Sequence, residues 1–228
     1  MRYNTLYSLF NYKDIRFWII VFFILRLWGI TDPPLEIAHN WRQVTGLMVA
    51  RNYLEVDANI LLPRIDENQG ESGIIGLEFP SLNYIYFVIS KIFNYTHWYG
   101  RLINLIISSI GLVFFSKIIR RFFSEKVVLA STLFLLGSIW FAFSRKMMPD
   151  TYCISIMFVG VYYGIKYLDI GKTNNILLYV LFTSLAILSK IPAGIYFALL
   201  IPMMFWSFSK IRMLVIVSTT LIPISLTY

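Results

Sequence analysis

Lys117–Lys126 reads KIIRRFFSEK, and its position between two apolar runs decides how the chain is laid out. The runs, about 98–119 and 126–143, are of membrane-spanning length. Basic residues that flank spans stay on the cytoplasmic side. With KIIRRFFSEK cytoplasmic, the 98–119 span starts outside, and the 126–143 span carries Ser144–Asp150 (SRKMMPD) back out. The preceding run, 80–95 (PSLNYIYFVISKIFNY), then cannot cross, because its start is already outside. It is about sixteen residues long, short for a span. Asn83, Ser90, Lys91 and Asn94 give it a polar stripe, as in a helix lying in the interface. Were 80–95 to span after all, Asp32 and Asp150 would fall on opposite faces.

Composition agrees with a membrane protein. The 228 residues are 58% hydrophobic and only 14% charged, with mean hydropathy +0.68. A soluble domain carries nearly twice that charge. The net charge of +8 does not indicate nucleic-acid binding, because the cations lie in short clusters between apolar runs rather than in one patch. Cys153 is the only cysteine, so an internal disulfide is excluded. The expected fold is all-α, a polytopic membrane helical bundle with a long first outer loop, about 32–97, that carries interfacial helices.

Residues 1–16 are polar and basic and read as cytoplasmic. The first span, 17–31 (FWIIVFFILRLWGIT), lacks a cleavage site and reads as a signal anchor. Arg26 interrupts it, facing the bundle or snorkelling. In the loop that follows, His39, Arg42, Gln43 and Gly46 recur at helical spacing as one polar face, with Trp41, Val44, Leu47 and Met48 turned elsewhere. Asn59–Pro80 is rich in turn formers and reads as a mobile surface loop. Within 98–119, Arg101, Asn104, Ser108 and Gly111 share a face suited to helix packing. Four more runs follow at about 151–168, 174–189, 192–208 and 211–228. Their linkers put Lys166, Lys172, Lys210 and Arg212 inside and Lys190 outside. The last run ends without a polar tail, so an N-terminal fragment of a larger protein is expected.

Asp32, just past the first span and stiffened by Pro33–Pro34, suits a base at the membrane surface. The plainer reading is a solvated acid that ends the span. Asp150 is equally suited to capping the 151–168 helix. Arg145 and Lys146 are positive charges on the side that the charge rule disfavours, which suggests a task for them. His39 with Arg42 suits a phosphate, or simply the headgroup layer. Arg101 pairs with a loop acid or snorkels. Lys190, beside a proline break, reaches lipid phosphate or only a helix C-terminus.

Four segments in order resemble the GT-C membrane glycosyltransferases, in particular the glycosyltransferase family 39 type that includes protein O-mannosyltransferases and aminoarabinose transferases. They are Asp32…His39-Asn40-Trp41-Arg42-Gln43, Leu77-Glu78-Phe79-Pro80 with Asn83-Tyr84, Trp98-Tyr99-Gly100-Arg101-Leu102, and Ser144-Arg145-Lys146-Met147-Met148-Pro149-Asp150-Thr151. The resemblance covers about residues 15–210. It implies that Asp32 is the catalytic carboxylate and Asp150 the second acid. Glu36, His39, Arg42, Glu78, Arg101, Arg145, Lys146 and Lys190 are then candidates for substrate binding. Two departures stand out: Val44-Thr45-Gly46 follow where relatives often carry an acid, and Phe79 stands where they often carry lysine. The implied reaction is inverting transfer of a sugar from a polyprenyl-phosphate donor to a lipid, glycan or protein acceptor, at the outer face of a bacterial cytoplasmic membrane. A divalent cation, Mg or Mn, between Asp32 and Asp150 is a further expectation, since hard cations take carboxylates. The alternative is a transporter or flippase for lipid-linked glycans. A transporter would place its charges at mid-membrane in repeated halves, whereas here the acids cluster at one surface and no repeat is visible.

Overall fold

The computed structural model describes residues 11–34, 39–66, 72–76, 78–200 and 209–225. These residues are helical throughout, apart from loops and one isolated antiparallel bridge, Arg64 to Ile74. We number the helices α1 (Ile15–Leu27), α2 (Asn40–Glu55), α3 (Ser81–Phe93), α4 (Tyr99–Arg120), α5 (Glu125–Gly137), α6 (Ile139–Ala142), α7 (Pro149–Ile170), α8 (Thr173–Ser189) and α9 (Lys210–Ser225). Short 3-10 segments cover Phe143–Arg145 and Ile191–Leu200.

Two helices, α4 and α7, are long and apolar enough to cross a membrane. A third span forms if α5 and the Ile139–Arg145 segment are counted together, although they bend by 52° at the break. A single continuous helix over 126–143 was expected. Instead the chain leaves α5 at Gly137, and Ser138 is extended, at φ −80 and ψ 163. The 192–208 run also departs from expectation. Pro192 and Gly194 suit a helix interior poorly, and residues 191–200 wind as a 3-10 segment. Helix α1 has 13 residues, about 20 Å at 1.5 Å per residue, so the first apolar run is part helix and part turn. Asp14 caps it by accepting from the Arg16 amide at 2.9 Å, and Arg26 is half-buried in its last turn.

The core is the α4–α7–α8 layer, and small residues let these helices meet closely. A Cβ on Gly111 would lie 2.5 Å from the Ser155 Cβ and 2.7 Å from its Cα. Gly160 and Gly164 of α7 meet Thr183 and Tyr179 of α8 in the same way. Helix α1 packs on the other side of α4 through Ile15, Ile19, Leu105, Leu112, Leu136 and Phe141.

The hydrogen bonds fix which helix ends lie together. Arg121 pairs with Asp169, and Arg212 donates to the carbonyls of Leu168 and Asp169. The end of α4, the end of α7 and the start of α9 therefore share one end of the bundle, the basic end. At the other end, the acid end, Lys190 after α8 pairs with Asp150 at the start of α7. Helix α3 begins and finishes at the acid end. At its start, the Phe79 amide donates to Leu188 O at 3.0 Å and Ser81 bonds Ser189. Just past its finish, His97 bonds Thr31 O. It returns to the end from which it left and does not cross. Helices α2 and α3 pack together as a small core of their own, Val49, Tyr53 and Phe87 with Ile65 and Tyr84. Part of the glycine-rich loop is tied to this core: Arg51 pairs with Asp66, and Asn52 donates to Arg64 O and Asp66 Oδ1.

Candidate active site

The turn that leaves α1 is the centre of the acid end. Gly29 adopts a left-handed conformation, φ +68, and a Cβ there would lie 2.5 Å from Asp32 Oδ2. Glycine is thus required both by the backbone and by the carboxylate beside it. The next feature is the fate of the carbonyls. Trp28 and Gly29 O accept from Arg145 at 2.5 and 3.4 Å. Ile30, Asp32 and Pro33 O accept from Arg101 at 3.4, 2.7 and 3.2 Å. Thr31 O accepts from His97 Nε2 at 2.9 Å. Six consecutive carbonyls are held by three basic side chains from two other parts of the chain. The Asp32 backbone is fixed on one side while its carboxylate is exposed on the other.

Arg101 is 1% exposed, so it does not snorkel; it is buried with its guanidinium on backbone oxygens. Arg145 is fastened to the same turn, and its Nη2 would lie 3.3 Å from a Gly29 Cβ, on the face where Asp32 also sits. Asn104, fully buried, fastens the other strap of the site. Its amide donates to Lys146 O and Met148 O at 2.7 and 3.1 Å, and its oxygen accepts from Thr151 and Ser108. Met147, between those carbonyls, fills the space that Gly46 of α2 and Gly100 of α4 leave open. Lys146 is buried and lies over the Phe143 ring at 5.0 Å.

Asp150 is the second residue of α7, behind Pro149, and the N-cap is Met148. Its role as the cap is therefore corrected. Proline already occupies the first helical position. Instead Asp150 Oδ1 takes the Lys190 ammonium, and Oδ2 has no hydrogen-bond partner among the described residues. The polar face expected on α2 is also split. His39 precedes the helix in a left-handed conformation and stacks edge-on against Phe143 at 5.5 Å. Arg42 points out and pairs with Glu78 at 2.6 Å. Gln43 points in with Leu47 and is fully buried; neither amide atom has a hydrogen-bond partner among the described residues. His39 and Arg42 thus have separate partners, Phe143 and Glu78. Glu36 lies outside the described residues.

A cavity of about 280 Å³ opens beside Asp150, between Trp41, Arg42, Glu78, Asn83, Met147 and Pro149. Asn83 shapes its wall by donating to Gly46 O at 2.8 Å.

The donor set does not suit a divalent cation. Among the described residues no three His, Cys, Asp or Glu side chains come together. Asp150 already holds an ammonium, and Asp32 lies on the face of Gly29 that Arg145 approaches. Fixed cations, rather than a carboxylate cage, surround this site.

Asp32, Arg101, Arg145, Asp150 and Lys190 are thus gathered at one end, with Arg42 and Glu78 at the mouth of a cavity there. His97, Asn104 and the buried Gln43 are positioned with them. His97 directly precedes the Trp98–Leu102 segment but was not singled out, while Asn104 was visible as a polar residue on the packing face of an apolar run.

A family model described as dolichyl-phosphate-mannose-protein mannosyltransferase matches residues 79–228. The matched range includes Arg101, Arg145, Lys146, Asp150 and Lys190, and begins after Asp32, His39, Arg42 and Glu78. No curated protein and no solved structure gives a significant match.

Proposed function

The chain belongs to the dolichyl-phosphate-mannose-protein mannosyltransferase family, and from that premise we propose that it transfers a sugar from a polyprenyl-phosphate donor to an acceptor, with Asp32 as the base. The family membership makes it a membrane glycosyltransferase; the roles of its residues are our reading. The acceptor hydroxyl or amine attacks the anomeric carbon as Asp32 takes its proton. The bond from that carbon to the phosphate oxygen breaks, the lipid phosphate leaves with the electron pair, and the anomeric centre inverts. Lys190, held by Asp150 at the same end, supplies positive charge for the departing phosphate. Arg101, Arg145 and His97 act as positioning residues through the Asp32 backbone.

One observation carries this reading: the six carbonyls of the 28–33 turn held from behind by Arg145, Arg101 and His97. A solvated acid that merely ends a helix needs no such framework. Pre-fixing the base lowers the cost of reaching the reactive geometry. By the charge rule, the acid end faces outward from the cytoplasmic membrane of a bacterium, and the basic end faces the cytoplasm.

The test is turnover in lipid nanodiscs, followed as release of polyprenyl phosphate from a panel of polyprenyl-phosphate sugars. Asp32→Asn is expected to lower turnover by about 100-fold or more, the usual worth of a general base, with thermal unfolding unchanged. Turnover within a few-fold of the parent would remove Asp32 from the mechanism. Orientation is tested separately, with cysteines at 32 and 150 in a Cys153→Ser background. Both should react with an impermeant thiol reagent from outside; labelling of only one would separate the acids.

A further inference from the structure

A cavity of about 520 Å³ lies at the basic end, away from the proposed reaction, between the chain entering α1, the last turns of α4 and the first turns of α5. Its volume falls in the range of small-molecule pockets, about 300–1,000 Å³. Three walls build it. Val113, Ser116, Lys117 and Arg120 recur at i, i+3, i+4 and i+7 on one face of α4. Glu125, Val128 and Leu129 are the matching face of α5. The third wall is the turn before α1, where the Asp14 amide donates to Asn11 O, the Lys13 amide to Asn11 Oδ1, and the Trp18 indole to Tyr12 O.

The lining is graded. Val113, Val128 and Leu129 are apolar and lie about one turn towards the middle of the bundle, and the buried Ile15 adds apolar surface beside Asp14. Lys13, Arg16, Lys117 and Arg120 form the rim, with two carboxylates, Asp14 and Glu125, among them. Each carboxylate is bound by an arginine: Arg16 holds Asp14, and Arg120 holds Glu125. Lys13 and Lys117 have no carboxylate partner among the described residues; their ammonium groups rest over the Tyr12 ring and the Phe114 and Tyr162 rings. The first turns of α1 and α5 and the last turn of α4 meet here, so one of the two positive helix ends is offset by the negative end of α4. An excess of cations over an apolar floor, at the level where α4 leaves the hydrocarbon, matches one chemical profile: a phosphate diester joined to acyl chains. Basic pockets between membrane helices on the cytoplasmic side bind such headgroups.

We propose that this cavity binds the headgroup of an anionic glycerophospholipid, with Lys13 and Lys117 as the principal phosphate contacts once their ammonium groups swing off the rings they rest on, none of which lines the cavity. The site is separate from the acid end and does not depend on the mechanism proposed there.

The test uses the full chain in nanodiscs of mixed phosphatidylglycerol and phosphatidylcholine, released into the gas phase and weighed with its retained lipid. The parent should retain phosphatidylglycerol in preference to phosphatidylcholine. Lys13→Gln with Lys117→Gln should lower that retention by about tenfold or more, each surface cation being a sizeable contributor to anionic-lipid attraction. Lys126→Gln with Lys166→Gln, also at the basic end but outside the cavity lining, should leave retention unchanged and controls for general charge. Equal retention by the parent and the Lys13/Lys117 variant would overturn the site, as would equal retention of the two lipids by the parent. A parallel arm adds inorganic phosphate in detergent and follows thermal unfolding. Stabilisation of the parent but not of the variant by free phosphate, without lipid retention, would reassign the cavity to a soluble anion and overturn the lipid assignment.

Discussion

The two ends of the bundle use the same side chains differently. At the basic end, Arg121 reaches Asp169 across 48 residues, but the arginines around the cavity pair with carboxylates close by in sequence: Arg16 with Asp14, two residues away, and Arg120 with Glu125, five away. Both pairs are largely open to solvent and close local structure at helix ends. At the acid end the partners are remote. Lys190 meets Asp150 across 40 residues, Arg42 meets Glu78 across 36, and Arg101 and Arg145 reach carbonyls 68 to 117 residues away. There the cations hold together pieces of chain that have no other reason to meet. These cations thereby satisfy a turn in which, among the described residues, only Gly29 O of the six carbonyls has a backbone partner.

The sharpest break of this comparison is Arg101→Met against Arg16→Met. The first removes three buried bonds from a charged donor, each worth about 1.5–3 kcal/mol, and should cost at least about 3 kcal/mol in thermal unfolding and abolish turnover although Asp32 is intact. The second loses an exposed pair worth at most about 1 kcal/mol and should leave turnover unchanged. Similar losses from the two variants would mean that the ends do not differ as described.

Gln43→Leu sharpens the comparison from inside the acid end. A buried amide without partners costs stability, about 1–3 kcal/mol by mutational measures, so leucine should raise the unfolding temperature. If the amide is kept for substrate, turnover should fall about tenfold in the same variant. A rise in stability with full turnover would leave Gln43 as an unexplained burden.

The smallest effect concerns the tie between α2 and its loop. Hydrogen bonding to Arg51 holds Asp66 below its ordinary value of 3.8. A depressed carboxylate contributes stability above that value and loses it as pH falls through the folded-state value. The exchange protection of residues 57–66, taken relative to the intrinsic amide rate at each pH, should therefore be unchanged from neutral pH down to about pH 4 and weaker below it. As an exposed pair its worth is about 0.2–1 kcal/mol, and Asp66→Asn should mimic the acid state at neutral pH.

Most of the architecture was legible because it rests on apolarity and charge. Helices α4 and α7 appear as long apolar runs, and KIIRRFFSEK led to the expectation that 80–95 lies along one end, where the partners of Phe79, Ser81 and His97 place both ends of α3. The bend at Gly137–Ser138 was not legible, since no proline marks it and the apolar run continues through it. Asp32, Asp150 and Lys190 could be picked out as charges beside apolar runs. What Arg101 does could not: its partners are backbone carbonyls, which every residue possesses, so no side-chain pattern announces them. The split face of α2 failed for a related reason. Helical spacing assigns Arg42 and Gln43 to one polar face, but which of them is covered depends on the packing of segments remote in sequence.

The long reach of Arg145 has a consequence for how the molecule is made. Trp28 is synthesised 117 residues before the arginine that takes its carbonyl. At about 5–20 residues per second, the exposed turn waits roughly 6 to 23 s on the ribosome for its last partner. During that interval α1 has emerged and Asp32 is present, yet the frame around it is unfinished. The end of the molecule that needs the greatest precision is therefore completed only after residue 145 is added, and chains halted before it would carry Asp32 without the support that Arg145 gives its turn.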